Sequence, residues 1–191
     1  MEIIVKVINE QIKTGEFQSV YLLYGEEEYL KKQYRDKLKK AISGDDTMNY
    51  SYFEGNKIVV KEVIDMANTL PFFAEKRLIV IENSGFFKGS CEELAEYMPQ
   101  VPDTTLFLFV EEEVDKRSKL YKAVKNVGKI VEFTIQTEEL LTRWILTRLK
   151  KEGKNITGSV MQLFLSKTGT DMGNIDRELE KLICYCMDKD V

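Results

Sequence analysis

Apolar and polar positions along this chain switch repeatedly between a helical spacing and short unbroken apolar runs. Ile4, Val5, Ile8 and Ile12 recur at helical intervals and Gly15 follows as a stop, so a helix opens the chain. Val20-Tyr21-Leu22-Leu23-Tyr24 is a continuous apolar run closed by Gly25, the pattern of a strand covered on both faces. Leu30, Tyr34, Leu38 and Ile42 then return at intervals of four among lysines, with Gly44 beyond, which reads as a surface helix. The alternation continues as strand 50–53, helix 59–70, strand 77–81, helix 92–98, strand 105–110, helix 118–127 and strand 129–133.

Five strands alternating with helices predict parallel pairing through helical crossovers, hence an α/β fold with a doubly wound parallel sheet over residues 1–135. After Thr137 the strand signals stop. Helical patterns over 138–151, 157–167 and 171–187, parted by Gly153 and Gly169, predict a small three-helix domain over 136–191. Pro71, Pro99 and Pro102 fall where elements change, and no repeat or low-complexity tract interrupts the pattern. The chain stops at Asp188-Lys189-Asp190-Val191 directly after a helical pattern, which reads as a piece of something longer.

Composition narrows the function classes. Hydrophobic residues make up 43% and charged residues 31%, values of an ordinary globular chain. No run approaches the roughly 18 apolar residues of a membrane span, and the N-terminus mixes charge into its apolar positions, unlike an export signal. Three cysteines, with Cys91 isolated, do not suggest a disulfide framework, so a cytoplasmic location is expected. With 28 basic and 32 acidic residues spread evenly, a net charge of −4 offers no large cationic field for DNA phosphates. Histidine is absent, which removes the commonest general base and every Ser-His or Cys-His nucleophile arrangement.

The turn after the first strand is where a nucleoside triphosphatase carries G-x-x-x-x-G-K-[ST]. Here it reads Gly25-Glu26-Glu27-Glu28-Tyr29-Leu30-Lys31-Lys32, with adjacent carboxylates facing any phosphate and with the second glycine and the magnesium-binding hydroxyl missing. Nucleotide hydrolysis is therefore not expected, and no cofactor or metal site is assigned. Glu82, ending the third strand, reads as a solvated structural cap, and Glu111-Glu112-Glu113 as a solvated acidic turn. Cys184 and Cys186 lie about 200° apart on a helix and read as ordinary packing. Trp144, within the stripe Leu140, Leu141, Ile145 and Leu149, reads as core.

One segment stands out, Leu70-Pro71-Phe72-Phe73-Ala74-Glu75-Lys76-Arg77. Pro71 ends the preceding helix and can start a new turn, so two aromatics are set on a short projection; if helical, they point 100° apart and at least one faces outward. From pattern alone the rings serve either as plugs at the sheet edge or as anchors in a partner's pocket. Phe86-Phe87, between Gly85 and Gly89, forms a rival pair that reads either as an exposed patch or as a lid over the core.

Val20 to Leu30, Leu70 to Ile81, Asp115-Lys116-Arg117-Ser118-Lys119-Leu120-Tyr121-Lys122, and Gly169-Thr170-Asp171-Met172 leading to Glu178-Leu179-Glu180-Lys181-Leu182, in that order, resemble the delta subunit of the bacterial DNA polymerase III clamp loader. The resemblance implies an AAA+-like domain that does not hydrolyse ATP, followed by a lid-type helical domain. It further implies partnership with delta-prime and tau/gamma subunits, contact with primed DNA only inside the assembled loader, and binding and opening of the sliding clamp. Clamp binding falls by resemblance on Phe72 and Phe73, with Leu70 beside them. The family's third domain, a C-terminal collar, has no counterpart in this sequence. An ATPase and a DNA-binding module are the competing classes, and they predict saturable ATP binding and salt-sensitive DNA affinity respectively.

Overall fold

The computed structural model describes the backbone of residues 2–187 and 189–191 and the side chains from residue 6 onward except 188, so stripe positions Ile4 and Val5, and Asp188, lie outside the described side chains. Contacts divide the chain into two compact units, one of residues 1–26 and 31–133, the other of 27–30 and 134–191.

The first unit is built on five parallel strands, β1 (Val20–Tyr24), β2 (Tyr50–Glu54), β3 (Arg77–Glu82), β4 (Thr105–Glu111) and β5 (Lys129–Glu132), in the order β2-β3-β4-β1-β5. Every residue of β1, β3 and β4 is buried, as their unbroken apolar runs require, while the edge strand β2 is polar and half-covered. Leu22 pairs with Phe109 on one side and Ile130 on the other, and Ile79 with Phe107, which sets the apolar side chains in rows across the sheet.

Helices cover both faces. Val20, Leu22, Ile79, Ile81, Phe107 and Phe109 pack with Val63 of α3 (Val60–Ala67), Leu94 of α4 (Glu92–Tyr97) and Leu120 and Val124 of α5 (Lys119–Val127). The alternate strand residues turn to α1 (Glu2–Thr14) and α2 (Glu28–Ser43): the Tyr21 hydroxyl donates to Gln11 at 3.0 Å, and the Tyr34 ring lies 5.5 Å from that of Phe133. The fold is thus the α/β doubly wound arrangement that the alternation predicts.

Helix α3 ends at Ala67, three residues before the sequence-based boundary. The Asn68 and Thr69 amides donate to the carbonyls of Ile64 and Met66, and this tightening closes the last turn. Gly25, after β1, has φ +120, and a Cβ there would stand 2.2 Å from the Phe133 carbonyl oxygen, so the chain leaves the sheet by a path closed to side chains.

The second unit holds α6 (Glu138–Lys151), α7 (Gly158–Thr168) and α8 (Met172–Cys186). Each starts at a side-chain cap: Thr137, Thr157 and Asp171 accept the backbone N–H three residues on. Leu141, Ile145, Leu149, Phe164, Ile175 and Leu179 lead its core, with Tyr29, Leu30 and Trp144 packed against it. Trp144 is half-buried, its ring edge-on to Tyr29 at 5.7 Å. Cys184 is exposed and Cys186 half-buried, both free thiols, so packing does not account for Cys184 as the sequence reading supposes; it lies off the stripe that Leu182 and Ile183 of the same turn present to the core. Among the described residues no helix is long and apolar enough to cross a membrane.

Candidate partner-binding site

Residues 68–76 join α3 to β3 as a turn and a series of bends, so Phe72 and Phe73 do not stand on the short helical turn that the sequence reading considered. Both rings face solvent. Phe73 is 96% exposed, Phe72 55% and Leu70 76%, and the two rings meet edge to face with centroids 4.5 Å apart. Phe73 has φ +49, a left-handed conformation uncommon for a bulky residue, and this turns its ring to the same side as its neighbour instead of the opposite one.

Three buried side chains hold this loop. Asn49, immediately before β2, accepts the Phe72 N–H at 2.6 Å and donates to the Phe72 carbonyl at 2.9 Å. Arg77, at the start of β3 and 6% exposed, donates from Nε to the Thr69 carbonyl and from Nη2 to the Leu70 carbonyl, each at 3.3 Å. Thr105 of β4 donates to the Ala67 carbonyl at 2.8 Å. Sequence reasoning singled out none of the three. The partners of Arg77, Asn49 and Thr105 lie 7 to 38 positions away, and the local sign in the sequence is the Asp/Asn turn chemistry of Asp46 and Asn49 before β2.

The rival pair is not a surface. Phe87 is fully buried, its ring 5.2 Å from that of Phe109, and Phe86 packs half-buried against the same cluster, so the lid alternative describes it.

Of the carboxylates read as solvated, Glu112 and Glu113 are exposed as expected, but Glu82 and Glu111 are not. Glu82 is buried and takes Arg35 Nη1 at 2.8 Å. Glu111 is 2% exposed and accepts the Ser84 N–H at 3.0 Å, the Ser84 hydroxyl and the Gly85 N–H at 3.3 Å. Burial pushes the Glu111 carboxyl above the ordinary carboxylate range, against the pull of these donors. Each is held by a partner that the fold brings near, Arg35 of α2 for Glu82 and the Ser84-Gly85 turn for Glu111. Among the described residues no three His, Cys, Asp or Glu side chains gather as a metal site.

Where a phosphate loop would hold a nucleotide, the donors are already engaged. The Gly25 N–H donates to the Glu112 carbonyl at 3.1 Å. Lys31, at the motif's lysine spacing from Gly25, is 1% exposed and donates to the Glu111 carbonyl at 3.2 Å. The open aromatic pair is an exposed apolar surface of the kind a partner's pocket can take up.

A parallel sheet in this order, flanked by helices and followed by a helical unit, defines an AAA+-like fold. The Thermotoga maritima RuvB Holliday junction branch migration motor shares it with a TM-score of 0.60 at 15% identity, over 94% of this chain and 60% of that one. The chain belongs to the family of DNA polymerase III, delta subunit, whose model matches residues 21–134. It is 25% identical over 194 residues to the DNA polymerase III subunit delta of Bacillus subtilis, covering 95% of this chain and 56% of the relative. The solved structure of a Bacillus subtilis DNA clamp loader delta protein is similar with a TM-score of 0.74 and 25% identity, over 97% of this chain and 59% of that one. The chain thus spans little more than half the length of these relatives.

Proposed function

We propose that this chain is a clamp-loader subunit that works by gripping the sliding clamp, with Phe72 and Phe73 as the anchor and Leu70 beside them. The observation that carries the reading is the pair of neighbouring aromatic rings turned together into solvent on a hydrogen-bonded loop. Burying each ring in a partner's pocket is worth roughly 1.5–3 kcal/mol, the scale of an interface hot spot. In this reading the engaged Gly25 amide and Lys31 ammonium leave the subunit without ATP chemistry of its own. Loader partners of the delta-prime and tau/gamma type supply the nucleotide dependence, and primed DNA is met only in the assembled complex. Opening the clamp requires no force-generating step here. A subunit that binds the open-interface form more tightly than the closed one shifts the clamp towards opening by that difference in affinity.

The test is calorimetric titration of the chain into a bacterial sliding clamp beside a folded Phe72→Ala/Phe73→Ala variant. Binding by the parent and a loss of at least about 2 kcal/mol in the variant support the anchor. Equal binding by the two chains, or no binding by either, removes it.

A further inference from the structure

The aromatic pair stands on irregular chain, yet its first residue is gripped at two points by one buried side chain. Asn49 is 1% exposed, and its own carbonyl accepts the Leu78 N–H of β3 at 2.9 Å, which ties its backbone to an interior strand of the sheet. Its carboxamide closes on both main-chain polar groups of Phe72, accepting the N–H at 2.6 Å and donating to the carbonyl at 2.9 Å. A side-chain amide used this way supplies the rung that a neighbouring strand would otherwise give, and fixes both the position and the direction of the Phe72 main chain. The second Nδ2 proton goes to Asp46 Oδ2 at 2.6 Å. Asp46 is fixed in turn by the Met48 N–H at 2.8 Å and the Asn49 N–H at 3.2 Å, so the amide cannot rotate without breaking several bonds together.

We infer that Asn49 is the positioning residue of the clamp-binding site, holding the Phe72 main chain so that both rings are presented in one arrangement before the clamp arrives. This rests on the reading of Phe72 and Phe73 as the clamp anchor. Arg77 holds the other arm of the loop through the Thr69 and Leu70 carbonyls, so the tip is clasped from both sides of the projection. The benefit is preorganisation: a loop without helical hydrogen bonds would scatter two exposed rings, and ordering them on contact would weaken binding.

The test combines clamp titration with residue-resolved amide exchange on the same 191-residue chain. In the parent, the Phe72 amide exchanges at least about a hundredfold more slowly than an unprotected chain. Asn49→Ala raises Phe72 exchange towards the unprotected rate, leaves Ile79 in β3 protected, and weakens clamp binding by about tenfold or more. Asn49→Asp has the same shape, keeps the acceptor and loses the donors; it weakens binding too and serves if the alanine variant does not fold. A general loss of structure would instead speed Phe72 and Ile79 together. Full clamp affinity in a folded Asn49 variant, or a Phe72 amide that is unprotected in the parent, overturns the inference while leaving the Phe anchor standing. Undiminished binding by Phe72→Ala/Phe73→Ala, or no binding by the parent, removes the anchor and the role of Asn49 with it.

Discussion

The Nζ of Lys31 lies 3.2 Å from the main-chain oxygen of Glu111, 80 positions away, and the side chain that carries it is almost wholly buried. The lysine at the phosphate-loop spacing thus joins the start of α2 to the end of β4. Lys31→Met retains the apolar stem and leaves a buried carbonyl short of a donor. Urea unfolding is expected to show a loss of about 1–3 kcal/mol, with clamp affinity unchanged once the variant is folded. A loss of clamp affinity without a loss of stability would place Lys31 at the interface instead.

The two phenylalanine pairs should respond oppositely to truncation. Phe87→Ala opens a cavity beside Phe109 and is expected to cost about 3–5 kcal/mol in thermal or urea unfolding. Phe73→Ala removes a ring that is 96% exposed and should stay within about 0.5 kcal/mol of the parent. Phe73→Gly, relieved of the left-handed strain at φ +49, should be no less stable than Phe73→Ala.

That contrast shows where the sequence was legible. The runs 20–24, 78–81 and 106–110 within β1, β3 and β4 are unbroken because both faces of the sheet are covered, and α6 matches its expected bounds because Thr137 caps one end and Gly153 follows the other. The doubly wound alternation was readable for the same local reasons, whereas for Leu70, Phe72 and Phe73 the pattern left both a core plug and an exposed anchor open, and only the folded loop shows all three exposed. The burial of Phe87, Glu82 and Glu111 was not, since it depends on Phe109, Arg35 and Ser84, which only the folded sheet brings near. Asn49 was invisible for a related reason: in sequence it is one more polar residue in a turn, and its partner Phe72 is 23 positions on.

Glu111 should leave a mark on the pH dependence of stability. Its folded carboxyl is held above the ordinary range, so the folded state binds its proton more readily than the unfolded chain. The sign follows: its contribution is most favourable at low pH and is lost as pH rises through the folded value. Glu111→Gln removes that contribution. Urea unfolding of parent and variant between pH 7 and about 4.5 should show the parent gaining relative to the variant as pH falls. A difference independent of pH would mean that the Ser84 and Gly85 donors fully offset burial.

Gly25→Ala tests the turn after β1. Its Cβ would meet the Phe133 carbonyl oxygen at 2.2 Å, at a φ that side chains rarely adopt. The expected cost is at least about 1–3 kcal/mol in unfolding, and the Gly25 N–H bond to Glu112 should lose its exchange protection.

The parallel sheet also has a mechanical meaning. The loop bearing Phe72 and Phe73 feeds the first residue of β3, and β3 runs six residues, about 20 Å, before its far end. It is bonded along its length to β2 on one side and β4 on the other. Tension applied at the aromatic pair along the strand direction therefore loads two hydrogen-bond ladders in shear, with their rungs sharing the force at once. A pull across the sheet would instead open them one by one. Under the proposed function, a ring-shaped partner held by these two side chains is tethered to an interior strand of the sheet, along the direction in which its two ladders resist together.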